Sequence, residues 1–379
     1  MANYLTLDDV DVNGVDVLVR SDLNVPLEDG RISDDFRIRA ALPTLERLVD
    51  AGARVRVCSH LGRPGGVDAA FSMRQVAEAM VGLSKKEVGF ETGGQITVLE
   101  NTRFDPGETA NDPATAARLA EGIGLFVQDA FGSVHRAHAS TVGVAELVKS
   151  VAGPLLVGEL EAFAKFLVEP KVPYVVVLGG AKVSDKLGVI ENLLPKVDVM
   201  LIGGGMCFTI LKAKGVEVGT SLVEDDQIEA VKRFLDGPDS EKVVLPSDVV
   251  IAREFAEDAE HKEVYVKEIP PDWMGLDVGR ETNQLFASVI RTAETVFWNG
   301  PMGVFEWEAF QSGTEAVARA MAETAAYTAV GGGDSVAALR ALGLESEISH
   351  VSTGGGAGLE LLEGRDLPGV KVLEKWTVL

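Results

Sequence analysis

Four apolar runs in the second half of this 379-residue chain each lead into a cluster of glycines. Tyr174–Leu178 is followed by Gly179-Gly180, Val197–Ile202 by Gly203-Gly204-Gly205, Tyr327–Val330 by Gly331-Gly332-Gly333, and Ile348–Val351, after two residues, by Gly354-Gly355-Gly356. Runs this short, separated by helix-like stretches, are the pattern of a parallel sheet flanked by helices. Ligands of such sheets bind beyond the carboxyl ends of the strands. Glycine at that edge lets backbone N–H groups close on a phosphate, often where a helix begins. Tight turns account for any single pair, but four clusters at equivalent strand ends predict a nucleotide pocket. Two further runs, Lys242–Leu245 and Thr295–Trp298, are expected to belong to the same sheet.

The first half repeats the alternation with other chemistry at its strand ends. Val15–Val19, Arg54–Cys58, Gln95–Leu99 and Leu125–Val127 read as strands, and Arg37–Ala51 and Ala114–Glu121 as helices. The strands are followed by Arg20-Ser21-Asp22-Leu23-Asn24, Ser59-His60-Leu61-Gly62-Arg63, Glu100-Asn101-Thr102-Arg103, and Asp129 with His135-Arg136-Ala137-His138. Turn and capping chemistry suffices for Ser21, Ser59 and Asn101. It does not explain arginines and histidines gathered at one edge of a protein whose net charge is −23. Residues 1–150 hold twelve arginines and three lysines, against seven and thirteen in residues 151–379. Arginine's planar fork suits carboxylates and phosphates, so the first half is expected to hold a small, multiply charged anion.

The usual nucleotide signatures are missing: no Gly-x-Gly-x-x-Gly follows a strand, and there is no Gly-x-x-x-x-Gly-Lys-Ser/Thr. In their place stands Gly179 to Lys186, in which Lys182 and Lys186 are expected on one face of a helix, in its first turns, suited to phosphate oxygens. Gly153-Pro154 opens a stretch with Leu156, Leu160, Phe163 and Leu167 at helical spacing, closed by Pro170 and Pro173. A helix is therefore expected to join two lobes. The acidic excess is spread along the chain and reads as a solvated surface, unsuited to nucleic acid or an anionic membrane. Cys58 and Cys207 cannot build a disulfide framework and are expected to be buried, and no Cys/His spacing is of the zinc type. Val199–Leu211, the longest apolar run, is too short to cross a bilayer, and no signal peptide is visible at Met1–Leu5, so a cytoplasmic protein is expected.

Seven segments, in order, resemble phosphoglycerate kinases along essentially the whole chain. They are Val19–Pro26, Ser59–Pro64, Asp129–His138, Gly179–Lys186, Trp298–Glu306, Gly331–Ser335 and Ser352–Ala357. The resemblance implies an α/β fold of two lobes, each a doubly wound parallel sheet flanked by helices: residues 1–150 for 3-phosphoglycerate and 171–364 for the nucleotide, joined by a connecting helix over 151–170. The tail, 365–379, is expected to pack back on the first lobe. The implied reaction is reversible phosphoryl transfer from 1,3-bisphosphoglycerate to Mg-ADP, in a monomer whose lobes close about the joining helix.

Residue roles follow from the same resemblance. Asp22 and Asn24 correspond to ligands of the glycerate, and His60, Arg63, Arg103 and Arg136 to the cradle of the non-transferred phosphate. Arg37 corresponds to the catalytic arginine, with Lys182, Gly355 and Gly356 also facing the transferring group. Gly180, Lys186, Gly204, Gly275, Asn299, Glu306, Gly332, Gly333, Asp334 and Ser335 correspond to the nucleotide site, with Asp334 on Mg2+. Thr102, Arg280 and Gly358 depart from the family's leucine, proline and serine, and Gly358 is expected to loosen the helix start facing the phosphate. Two rivals are a dinucleotide-dependent dehydrogenase, which shares the fold class but lacks its fingerprint here, and a catalytically dead descendant that keeps one pocket. NAD binding would favour the first, and failure to turn over 3-phosphoglycerate with Mg-ATP the second.

Overall fold

The computed structural model describes residues 4–377 and divides into two compact units. One comprises Met1–Glu161 with Asp366–Leu379, the other Ala162–Arg365. The helix Pro154–Leu167 carries the chain from the first into the second, so the division falls inside a helix rather than in a linker. The helix is shorter than 151–170, because Ser150–Ala152 is still a strand of the first sheet.

The first unit is built on a sheet in the order Thr92–Gly94, Val88–Phe90, Ile96–Val98, Arg54–Cys58, Asp16–Arg20, Leu125–Gln128, Ser150–Ala152, parallel except for its antiparallel edge strand Thr92–Gly94. Val17, Val19, Val55, Val57 and Val127 bury one face of it against Ile38, Leu45 and Leu48 of the helix Phe36–Asp50. Arg20 pairs in register with Cys58 on one side and Gln128 on the other. Three strands thus end in one row, and the residues after them emerge at the same edge.

The second unit carries a parallel sheet in the order Val243–Val244, Val199–Ile202, Tyr174–Leu178, Thr295–Asn299, Tyr327–Gly331, His350–Val351. Leu178 pairs with Ile202 and Asn299, and Asn299 with Gly331, again one row of strand ends. The glycines beyond it pack backbone on backbone. A Cβ on Gly204 would lie 2.6 Å from Gly180 N, and one on Gly300 would lie 2.3 Å from Gly179 O; both glycines have positive φ, +64° and +97°. No other residue satisfies both demands.

Between the parallel strands Val243–Val244 and Thr295–Asn299 the β–α alternation expected throughout breaks down. Asp248–Ala252, His261–Tyr265 and Met274–Val278 form a separate antiparallel sheet, with Asp248–Ala252 in its centre. Cys58 and Cys207 are free and buried, one in each unit. Among the described residues no helix is long and apolar enough to cross a membrane.

Candidate functional site

Each unit presents a cleft at its row of strand ends, and the two clefts differ in chemistry. In the first unit a cleft of about 750 Å³ is lined by Arg63, Arg103, Arg136 and His138 together with the backbone of Gly65 and Gly66. Arg63 and Arg136 are exposed, and Arg103 is half-buried. Arg103 donates to the carbonyl of Gly62, while its Nε has no partner among the described residues. Burial and the neighbouring Arg20, Arg136 and Arg63 lower the Arg103 pKa from its ordinary value. Cations crowded together with few carboxylates among them make a site short of an anion.

Asp22 and Asn24 follow the strand Asp16–Arg20 at the same edge, and Arg37, in the first turn of the helix Phe36–Asp50, meets Asp22 there. Arg37 Nη1 donates to Asp22 Oδ1 at 2.7 Å, and Asn24 Oδ1 accepts the Gly62 N–H at 2.8 Å. Asn24 thereby ties the loop after the first strand to the loop bearing Arg63. Arg39, two residues on, makes a forked, exposed pair with Asp35 at 2.8 Å on both oxygens.

Beneath the cleft lies a buried network that the sequence did not disclose. Arg20 is 1% exposed. Its Nε donates to Ser140 Oγ at 2.9 Å, its Nη1 to Ser59 Oγ at 3.3 Å, and its Nη2 contacts His60 Nδ1 at 2.9 Å. Ser140 passes the contact on to Glu108, which is wholly buried and accepts the serine hydroxyl at 2.6 Å and the serine N–H at 3.0 Å. A buried cation and a buried anion are thus joined through one hydroxyl, which accepts from the first and donates to the second. Only the arginine's place after a strand hinted at this; Glu108 lies on a polar stretch with no distinguishing signal. Thr102 is buried, and its hydroxyl has no partner among the described residues.

The second unit has two adjoining clefts that share Gly180, Ala181, Pro301 and Asp334. One, of about 460 Å³, is mainly apolar, with Leu222, Phe255, Met274, Gly275, Leu276 and Val304, and Glu306 on its wall. The other, of about 590 Å³, is lined by Lys182, Lys186, Asn299, Gly332, Gly333, Ser335 and Gly355. Gly204 also borders the first. Gly275 is required by packing, since a Cβ there would lie 1.9 Å from the Phe208 ring. Gly356 opens the short helix Gly356–Leu362, with Gly355 at its cap. An apolar slot next to a polar, glycine-lined one fits a base and its phosphates.

The expectation of Lys182 and Lys186 on one helical face is corrected. The helix begins only at Leu187, with Lys186 as its cap and Lys182 in the loop before it. The reason is a contact distant in sequence: both the N–H and the hydroxyl of Ser184 are bonded to the Glu224 carboxylate, at 3.0 and 2.6 Å, which holds the segment as a loop. The two lysines therefore differ. Lys182 is exposed, whereas Lys186 is buried and donates to Asn299 Oδ1. Burial brings the Lys186 pKa down to about 8, against the opposing pull of Asp185, Asp334 and Glu363. Ser335 accepts the Gly300 N–H at 2.7 Å and so fixes the turn above Asn299. Gly358 is buried, and a Cβ there would lie 2.9 Å from the Phe163 ring of the joining helix. The residue expected to loosen this segment is packed against an aromatic ring.

The chain matches the family model "Phosphoglycerate kinase" over residues 7–365. It is 53% identical to phosphoglycerate kinase of Rubrobacter xylanophilus, over 96% of this chain and 97% of that one. It is also 53% identical to that of Salinispora tropica, over 97% and 99%. Among solved structures it resembles phosphoglycerate kinase from Coxiella burnetii with a TM-score of 0.90 at 42% identity, covering 98% of this chain and 99% of that one. For the enzyme from Pyrococcus horikoshii the TM-score is 0.85 at 29% identity, with 99% of each chain covered. With matches that span both units and their clefts, the chain belongs to the phosphoglycerate kinase family.

Proposed function

We propose that the arginine-lined cleft of the first unit takes 3-phosphoglycerate or 1,3-bisphosphoglycerate and that the glycine-lined clefts of the second take ADP or ATP. The family's reaction moves the acyl phosphoryl group of 1,3-bisphosphoglycerate onto ADP, leaving 3-phosphoglycerate and ATP. The observation that carries the division is the contrast between the two sites: guanidinium groups with no nearby glycine triplet in one, and glycine loops with Lys186 and an apolar slot in the other.

In this reading Arg63, Arg103, Arg136 and His60 hold the phosphate that stays, and Asp22 and Asn24 orient the glycerate. Arg37 reaches the moving group, helped by Lys182 and by the N–H groups of Gly355 and Gly356. Gly180, Gly204, Gly332, Gly333 and Ser335 shape the phosphate channel, Lys186 neutralises the nucleotide phosphates, and Asn299, Gly275 and Glu306 flank the nucleoside. The bond that forms joins phosphorus to a terminal ADP oxygen, and the bond that breaks leaves a carboxylate. Neither partner needs deprotonation, so positioning and charge neutralisation supply the catalysis.

Asp334 lines both nucleotide clefts, and no group of three or more His, Cys, Asp or Glu able to hold a metal occurs among the described residues. A lone carboxylate beside a phosphate channel suits Mg2+, which binds through one or two carboxylates plus substrate phosphates. When bound, the ion supplies positive charge to those phosphates, and Asp334 orients it.

Transfer requires the two ligands to meet, so closure about the joining helix accompanies catalysis in a cytoplasmic monomer. With both substrates present, small-angle scattering should give a smaller radius of gyration than with either alone; an unchanged radius refutes closure. A coupled assay with 3-phosphoglycerate and Mg-ATP tests the activity itself. Turnover is expected, and NAD binding without nucleoside diphosphate binding would support the dehydrogenase reading instead.

A further inference from the structure

Arg20 meets one residue of the proposed phosphate cradle, His60, which follows the strand Arg54–Cys58 and does not itself line the 750 Å³ cleft. Its Nη2 lies 2.9 Å from His60 Nδ1. A guanidinium nitrogen can only donate, and arginine does not deprotonate in proteins. The ring nitrogen facing it must therefore accept, which places the imidazole proton on Nε2 and leaves the ring neutral. An imidazolium would set N–H against N–H at hydrogen-bond distance. From this contact we infer that Arg20 is a positioning residue that fixes His60 as the neutral Nε2–H tautomer, a donor of constant charge for the anion bound in the first unit.

Surrounding charges act in the same sense. Burial, and then Arg20, Arg103, Arg37 and His138, face His60 and hold its pKa well below the ordinary histidine value. Glu108, the nearest carboxylate of the network, bonds Ser140 and lies 3.7 Å from His138 Nδ1, and it does not contact His60. Arg20 is itself held from several sides: Ser140 at 2.9 Å, Ser59 at 3.3 Å and Ser133 at 3.4 Å leave the guanidinium one orientation. Charge on arginines alone would attract a phosphate. A histidine that lost or gained a proton between pH 5.5 and 8 would make that attraction vary with pH. The arginine beneath it removes that variation and turns a titratable ligand into a fixed one.

The role of His60 toward phosphoglycerate rests on the function proposed above, but the tautomer does not, so it is read first in the free protein. Long-range 1H–15N correlation on histidine-labelled full-length protein should show His60 as neutral Nε2–H throughout the pH range in which an ordinary histidine gains its proton. A His60 that carries its proton on Nδ1, or titrates with an ordinary midpoint near 6.5, overturns the inference, whatever the substrate. Arg20→Lys, which keeps the buried charge but offers a single point of donation, is the variant. It is expected to bring His60 into a tautomer mixture with a raised midpoint. It should also raise KM for 3-phosphoglycerate about tenfold at pH 8, and less at pH 6, with KM for ATP within about twofold. Should Arg20→Lys leave the His60 spectrum unchanged, the inference is again overturned. If the spectrum changes while KM for 3-phosphoglycerate does not, the positioning role toward the anion fails. If the spectrum behaves as stated but 3-phosphoglycerate does not bind even the wild type, it is the substrate assignment that fails.

Discussion

Arg37 Nη1 and Asp22 Oδ1 are 2.7 Å apart, the arginine side chain 31% and the aspartate side chain 11% exposed. The pair joins the first residues of the helix Phe36–Asp50 to the loop that follows the central strand. Asp22 therefore holds the guanidinium ready while leaving part of its fork free. That geometry needs a planar group: a lysine ammonium that kept the Asp22 bond would present no second, directed donor. Arg37→Lys is expected to leave both substrate affinities within a few-fold and to lower kcat by at least about 10². Arg39→Lys, whose parent residue only pairs with Asp35 on the surface, is the control and should change kcat far less. Steady-state kinetics on both variants decides, and equal mildness would remove Arg37 from catalysis.

Lys186 is expected to give the proposed nucleotide site a pH dependence. With its pKa at about 8, it loses its charge as pH rises through that value. The apparent kcat/KM for Mg-nucleotide should fall above about pH 8 while that for 3-phosphoglycerate does not fall with it. Arg at this position would stay charged, so Lys186→Arg should flatten the limb even if it lowers the plateau. On stability the sign is opposite: the unfolded lysine binds its proton up to about pH 10.5, so this group's contribution favours folding increasingly between pH 8 and 10.5.

Asp277 is buried and accepts from Ser312 Oγ at 3.0 Å and from the N–H groups of Gly313 and Val278 at 2.9 Å each. Burial outweighs these bonds and pushes its pKa to about 7. The folded protein thus holds a proton that the unfolded chain gives up near pH 4, and stability from this group is lost as pH rises from about 4 to 7. Asp277→Asn cannot titrate. Melting temperatures of the variant and the wild type should therefore converge as pH rises from 4 to 7. A constant gap across that range would show that Asp277 does not titrate there.

Asp129 Oδ1 accepts the N–H groups of Leu155 at 2.8 Å and Leu156 at 3.4 Å, the first turn of the joining helix. The other carboxylate oxygen, Oδ2, is buried and has no hydrogen-bond partner among the described residues. Asp129→Ala should cost about 1–3 kcal/mol, the range for a buried cap that leaves donors unpaired. The signature is local: hydrogen exchange at Leu155 and Leu156 should accelerate more than at Val175 or Val176. Uniform acceleration would count against the capping role.

Asp334→Asn should weaken Mg-nucleotide binding while leaving 3-phosphoglycerate affinity close to wild type. Isothermal calorimetry with each ligand separates the two, and equal losses would end the metal assignment.

Two strands fall where the pattern put them: Tyr174–Leu178, an uninterrupted apolar run buried along its whole length, and Arg54–Cys58, in which Val55 and Val57 alternate with the exposed Arg54 and Arg56. The antiparallel sheet was not legible in the sequence. His261–Tyr265 is an exposed edge strand of mixed charge, and its partners lack the helices between them that make alternation visible. Among candidate site residues, the glycines and cations at strand ends stood out in the sequence because strand ends define the edge at which such sheets bind ligands. Arg20 was read only as one more cation at that edge. Its role depends on Ser140, 120 residues away, and no local pattern encodes such a distance. The helical phase given to Lys182 and Lys186 failed for the same reason, since Glu224 lies 40 residues from Ser184.

The buried thiols have a practical use. Cys58 lies in the first unit and Cys207 in the second, and burial pushes both well above the ordinary thiol range, Cys58 to about 12. A thiol reagent in solution reacts with neither until the surrounding structure opens. Each half of the molecule thus carries its own built-in clock. The labelling rate at each cysteine, resolved by peptide mass, times the opening of one lobe independently of the other, without any engineered probe.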